Sequence, residues 1–169
     1  MTANDKETIM QKQFSRLPDD EPVIALTHVY DAPRPLVWEM FTTPEHLAHW
    51  LGPDGFPIEH KSADIRAGGY WSFVMVGPDG ARWDNYHQFI EVNPMDLISH
   101  RHGAFEDDPD AFISTITFVD LDGRTEVTMH MRFADMKARA DVVAYGADRL
   151  GLQTMAKAEA YLQHKGLLA

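Results

Sequence analysis

The spacing of apolar positions along the chain changes character three times, and each change predicts a new kind of element. Residues 23–30 (V-I-A-L-T-H-V-Y) are apolar and β-branched almost without a break, which predicts a strand. Between Asp31 and Phe56 the spacing becomes helical. Leu36, Val37, Met40 and Phe41 outline one short helix; Leu47, Trp50 and Leu51 outline a second. Asp31 is placed to accept from the free N–H groups of the first helix, with Pro33 and Pro35 in its first turn. Thr43 and Pro44 open the second helix, and Gly52 and Pro53 end it.

Alternation then takes over. Extended stretches are predicted at 56–65, 70–76, 83–92, 97–102, 112–119 and 125–133, separated by turn residues such as Gly68-Gly69, Gly77-Pro78-Asp79-Gly80, Asn93-Pro94 and Asp120-Leu121-Asp122-Gly123. Side chains alternate across a strand, so Trp71, Phe73 and Met75 share one face. In the last stretch Val127, Met129, Met131 and Phe133 share a face, and Glu126, Thr128, His130 and Arg132 share the other. That is a sheet with one dry and one wet side. From about 136 to 164 the period returns to helical. Val142, Val143, Tyr145, Leu150, Leu152, Met155, Ala158 and Leu162 outline a wide apolar side. The segment is long for one helix, and a short helix to about 143 followed by a long one is expected. Gly146 and Gly151 each cost roughly 1 kcal/mol relative to Ala there. Close packing on a sheet and room for a ligand are equally good reasons for them.

The order is strand, two short helices, about six more strands and a long helix, an α+β layer arrangement. Length and patterning give one domain over 21–169. Residues 1–20 are polar and read as a flexible extension, or a short accessory helix over 9–14. With 44% hydrophobic and 11% aromatic residues in 169, the chain has the composition of a globular domain. The net charge of −11, from 26 acids and 15 bases, argues against nucleic acid or an anionic membrane surface as partner. The absence of cysteine excludes disulfides and thiol catalysis. No stretch approaches the ~20 apolar residues of a membrane span, and the first residues lack a signal-peptide core. The expectation is a cytoplasmic protein, monomeric or homodimeric.

Several motifs resemble a known family. A-P-R-P-L-V-W-E-M-F-T-T-P-E-H-L-A-H-W-L-G-P-D-G-F (32–56) resembles the opening of the activator of heat-shock-protein ATPase homologue-like family, of the START-like (SRPBCC) superfamily. G-G-Y-W-S-F-V-M (68–75), the turn at 77–80 and F-I-E-V-N-P-M-D-L (89–97) are similar to further family motifs in the same order. The resemblance covers about 23–162. It implies a helix-grip (START-like) fold: a curved antiparallel β-sheet of about six or seven strands wrapped around a long C-terminal α-helix, with two short helices after the first strand. It also implies a deep, mostly apolar cavity between sheet and helix. His87 stands where many relatives have Gly, and Leu51 replaces a frequent second Trp.

Three sets of residues carry candidate chemistry. Trp38, Trp50, Trp71, Phe73 and Phe89, with Met75, Met129, Tyr145 and Leu152, line a site for an apolar or aromatic small molecule or form ordinary core. His100 and His102 share a strand face. If residues 92 and 97 pair across the 93–94 turn, His87 lies opposite His102 and Phe89 opposite His100. Three histidines suit a metal ion, but a one-residue slip separates them, and no carboxylate–histidine motif accompanies them. The reading adopted is no metal and no cofactor. Glu91, turned inward, would be an acid, a base or a ligand anchor; turned to the backbone it would brace the turn. The expected function is binding of an apolar small molecule. The alternatives are an enzyme using His87 and Glu91, with Tyr86, for acid–base chemistry on a hydrophobic substrate, and a co-chaperone-like activator of a heat-shock ATPase.

Overall fold

The computed structural model describes residues 12–164. Its elements are β1 (Gln13–Arg16), β2 (Val23–Tyr30), α1 (Arg34–Thr42), α2 (Pro44–Trp50), β3 (Ile58–Asp64), β4 (Tyr70–Val76), β5 (Arg82–Asn93), β6 (Leu97–Gly103), β7 (Phe112–Asp120), β8 (Thr125–Arg132), α3 (Met136–Ala144) and α4 (Ala147–His164). The eight strands form one antiparallel sheet in the order β1-β2-β8-β7-β6-β5-β4-β3. The expected count of about six or seven falls short of this, because β1 comes from the stretch read as an extension. Gln13–Arg16 pairs with Ala25–His28 of β2. Of the helix considered over 9–14, residues 9–11 lie outside the described residues, and Gln13 and Phe14 are extended.

All eight residues of β2 are buried, including the polar Thr27 and His28, as its nearly unbroken apolar run leads one to expect. α4 lies on this strand. Tyr30 donates its hydroxyl to the Met155 carbonyl (3.0 Å). Gly151 approaches so closely that a Cβ there would stand 2.3 Å from Leu26 Cδ1. Met155, Ala158 and Leu162 complete the buried stripe of the helix. The break between α3 and α4 falls at Gly146, whose φ of +83° suits glycine and turns the chain. α1 and α2 close one end through Val37, Met40, Phe41, Leu47 and Trp50. The first cap differs from expectation. Pro33 is the N-cap of α1 and has no side-chain hydrogen bond, while the Asp31 carboxylate pairs with Lys12 Nζ (2.7 Å). Among the described residues no helix is long and apolar enough to cross a membrane.

One buried ionic group ties α4 to β2 and to the residue just before β1. Glu159 accepts from His28 Nε2 (2.9 Å) and Lys12 Nζ (2.7 Å). Burial alone would raise its pKa. The bonds from His28 and Lys12, then the Asp31 N–H, outweigh that and bring it to about 2. A carboxyl group lowered in the folded state stabilises the fold above its unfolded pKa, and this contribution fades as pH falls from about 4.5 to about 2. Wild type is therefore expected to be more stable than Glu159→Gln near neutral pH, with the gap narrowing through that window. Urea denaturation of both at several pH values measures it, and a gap independent of pH contradicts the assignment.

Candidate functional site

Clamping α4 to β2 leaves the far half of the sheet uncovered on its concave side. A space of about 340 Å³ lies there, bounded by α4, the α1–α2 end and strands β4 to β8. Leu47, Trp50, Trp71, Phe73, Phe89, Ile98, Ile116, Met129 and Met155 give it apolar walls. The helix side is made of Ala147, Leu150, Gly151, Thr154 and Met155, at the spacing of one α-helical face. Phe73 stacks on Trp71 (ring centroids 4.0 Å apart), and the Trp71 indole N–H donates to His60 Nδ1 (3.0 Å). The indole polar atom is thus satisfied while its rings stay in the wall.

The polar groups of this space are concentrated on β5, β6 and β7. His87 pairs across with His102, and His100 with Ser114. His87 lies against both others, with ring centroids 4.0 Å from His100 and 4.3 Å from His102. His87 is 9% exposed and His100 4%. Burial, then the neighbouring His100 and His102, pushes His87 well below the usual histidine range. Burial, with His102 beside it, takes His100 down to about 3, and burial takes His102 to about 4. All three are neutral imidazoles at pH 7.

A bulge produces this grouping. The β5–β6 turn sets Asn93 opposite Leu97 and Val92 opposite Ile98, one residue away from the pairing assumed in the sequence analysis. Carried on without interruption, that register would set His102 opposite Gln88, on the other face from His87. Ile90 is the extra residue between Phe89 and Glu91; beyond it the pairing becomes Phe89 with His100 and His87 with His102. The same bulge corrects Glu91. Strict alternation puts residues 87, 89 and 91 on one face, but with Ile90 inserted both Ile90 and Glu91 are exposed.

Of the residues singled out in the sequence, Trp50, Trp71, Phe73, Met75, His87, Phe89 and Met129 border the space. Trp38, Glu91, Tyr145 and Leu152 do not. Trp38 packs edge-on against Phe118 (5.1 Å) as part of the α1–β7 contact. Tyr145 is the C-cap of α3 and is 84% exposed, since Gly146 turns the chain beyond it. Leu152 sits about 100° around α4 from Gly151 and packs on the flank of the core. Asn85, Ser114, Ile116, Met131 and Thr154 border the space without having been singled out. Alternation marks Ser114 and Met131 as facing inward, but a small polar residue in a strand gives no signal of a cavity beside it.

A curved antiparallel sheet gripping a long C-terminal helix, with two short helices after the second strand of the eight, is the helix-grip fold of START-like proteins. The chain superposes on protein Ms6760 from Mycobacterium smegmatis with a TM-score of 0.81 and 25% identity, covering 90% of this chain and 98% of that one. Protein NE0264 from Nitrosomonas europaea gives 0.81 and 22%, over 89% and 99%. An AHSA1 protein from Silicibacter pomeroyi gives 0.66 and 20%, over 85% and 99%. Residues 31–158 match the family described as Activator of Hsp90 ATPase homolog 1-like protein, and the chain belongs to that family. No curated protein matches it.

The placements have direct energetic consequences. Phe73→Ala is expected to cost about 3–5 kcal/mol of stability, as for a buried aromatic. Glu91→Gln and Tyr145→Ala are expected to stay within about 0.5 kcal/mol of wild type, as for exposed sites. Chemical denaturation of the three variants checks this, and a large loss in Glu91→Gln contradicts its outward placement.

Proposed function

We propose that the protein binds an apolar or aromatic small molecule between the sheet and α4. The observation that carries this reading is the space of about 340 Å³ walled by Trp50, Trp71, Phe73, Phe89 and Met155, with most of its polar side chains on three strands. Pockets for small ligands are of this kind, apolar and concave with a few convergent polar groups. Affinity comes mainly from apolar area removed from water, at ~25 cal/mol per Å². The imidazole side favours a ligand with a hydrogen-bonding group at one end. An acid–base pair of His87 and Glu91 is not part of this reading, since the two lie on opposite faces of β5. The chaperone-ATPase role in the family's description is a property of its namesake, and fold membership alone does not transfer it.

A thermal-shift screen of apolar and aromatic compounds tests the reading. A ligand at 100 times its Kd stabilises the native state by about 2.7 kcal/mol, a rise in Tm of about 5–10 °C for a domain of this size. Ser114→Leu, which adds bulk to the inner face of β7, is expected to abolish that rise in a protein that still folds. Trp71→Ala is expected to change which compounds bind. Retention of every bound compound by both variants would overturn the site.

A further inference from the structure

The three imidazoles on the concave face form a set that a hydrophobic pocket does not need. One ring nitrogen from each of His87, His100 and His102 lies within 4.8 Å of the other two. His87 Nε2 and His100 Nδ1 are buried and have no hydrogen-bond partner among the described residues. A buried polar atom left unpaired is a net cost to folding. A fold that only held an apolar molecule would be more stable with Phe or Leu at these positions.

The third histidine is oriented by a neighbour. Asn85 Nδ2 donates to the Trp83 carbonyl (3.0 Å), which fixes the amide and leaves Oδ1 as the acceptor facing His102. His102 Nε2, 2.8 Å from that oxygen, must then carry the proton. Its Nδ1 keeps a free lone pair. A histidine whose second nitrogen donates to a fixed oxygen is the usual arrangement of a metal ligand.

We propose that His87, His100 and His102 bind a divalent transition metal ion of the Zn2+ type, with Asn85 as a positioning residue. Imidazole nitrogens suit Zn2+, Co2+, Ni2+ and Cu2+ rather than Mg2+ or Ca2+, which take oxygen ligands. Three histidines leave one tetrahedral position open. Because all three side chains line the cavity, that position opens on it. Zn–N bonds of about 2.0–2.1 Å set the nitrogens about 3.3 Å apart. The nitrogens now lie within 4.8 Å of one another, so metal binding requires a contraction of about 1.5 Å at most. An anionic donor in the fourth position, such as hydroxide, a carboxylate or a phenolate, would offset one of the ion's two charges. The metal site stands independently of the identity of any organic ligand.

The test titrates tag-free protein with Co2+ alone, in a His46→Gln/His49→Gln background that removes the histidine pair on α2. One equivalent is expected to give the intense visible bands of four-coordinate Co2+, displaced by one equivalent of Zn2+. His100→Phe, which keeps the site's volume, is expected to abolish the bands. Asn85→Ala is expected to weaken binding about 10- to 100-fold while the circular dichroism spectrum is unchanged. No bands in the background protein, or bands that survive His100→Phe, overturn the proposal. Should His100→Phe fail to fold, Asn85→Ala decides, and affinity unchanged by it is likewise a refutation. Because no organic compound enters the experiment, its failure leaves the small-molecule reading to its own screen.

Discussion

The close contact between α4 and β2 is the constraint on which the rest of the structure depends. Gly151 brings the helix backbone down onto Leu26, Tyr30 holds the Met155 carbonyl, and Glu159 is tied to His28 and Lys12. A helix held this low covers one half of a curved sheet and cannot cover the other. The sheet bends over it, and strands β4 to β7 face open space instead of a packed partner. The two short helices complete the enclosure because Trp50 and Phe41, 4.8 Å apart, fill its end. The cavity is thus a consequence of where the helix is fastened. Gly151 serves both readings open in the sequence, since the residue that permits close packing also borders the space.

Within that enclosure a single inserted residue decides the chemistry. Ile90 itself is exposed and touches nothing in the cavity. By interrupting the β5–β6 ladder it turns His87 toward the same face as His100 and His102 and turns Glu91 to solvent. A carboxylate is thereby replaced by imidazoles as the polar content of the wall. The wall carries no formal charge at neutral pH, because burial keeps all three rings unprotonated. Such a surface can receive an apolar molecule with one polar end, and it can also offer lone pairs to a cation.

Opposite solutions to buried polarity appear on the two halves of the sheet. Under α4, Glu159 is compensated by three donors, so that its charge survives burial. On β5 and β6, His87 and His100 keep a nitrogen without a partner. Glu159 is fully satisfied in the contact that holds α4 on β2, and two of the three unpartnered buried side-chain atoms among the described residues, those of His87 and His100, face the cavity.

Local patterns along the chain determined the elements. Apolar alternation and turn residues set the strands from Ile58 onward, the length of the last helical stretch set a break near residue 143, and the motifs at 32–56 and 68–75 identified the family. These features are legible because each depends on neighbours a few residues away. The edge strand Gln13–Arg16 was not legible, since four residues with a single apolar one, Phe14, become a strand only where β2 offers a free edge. Nor was the exclusion of Trp38, Tyr145 and Leu152 from the cavity, which depends on helix rotation and on the turn at Gly146. Glu91 and the three histidines show the limit most clearly. Side-chain direction in a strand has a period of two, so one bulge reverses every inference beyond it. The sequence by itself determined that histidines and aromatics would lie on these strands. Only the tertiary structure decided which faced inward together, because register is a property of the pairing and not of either strand alone.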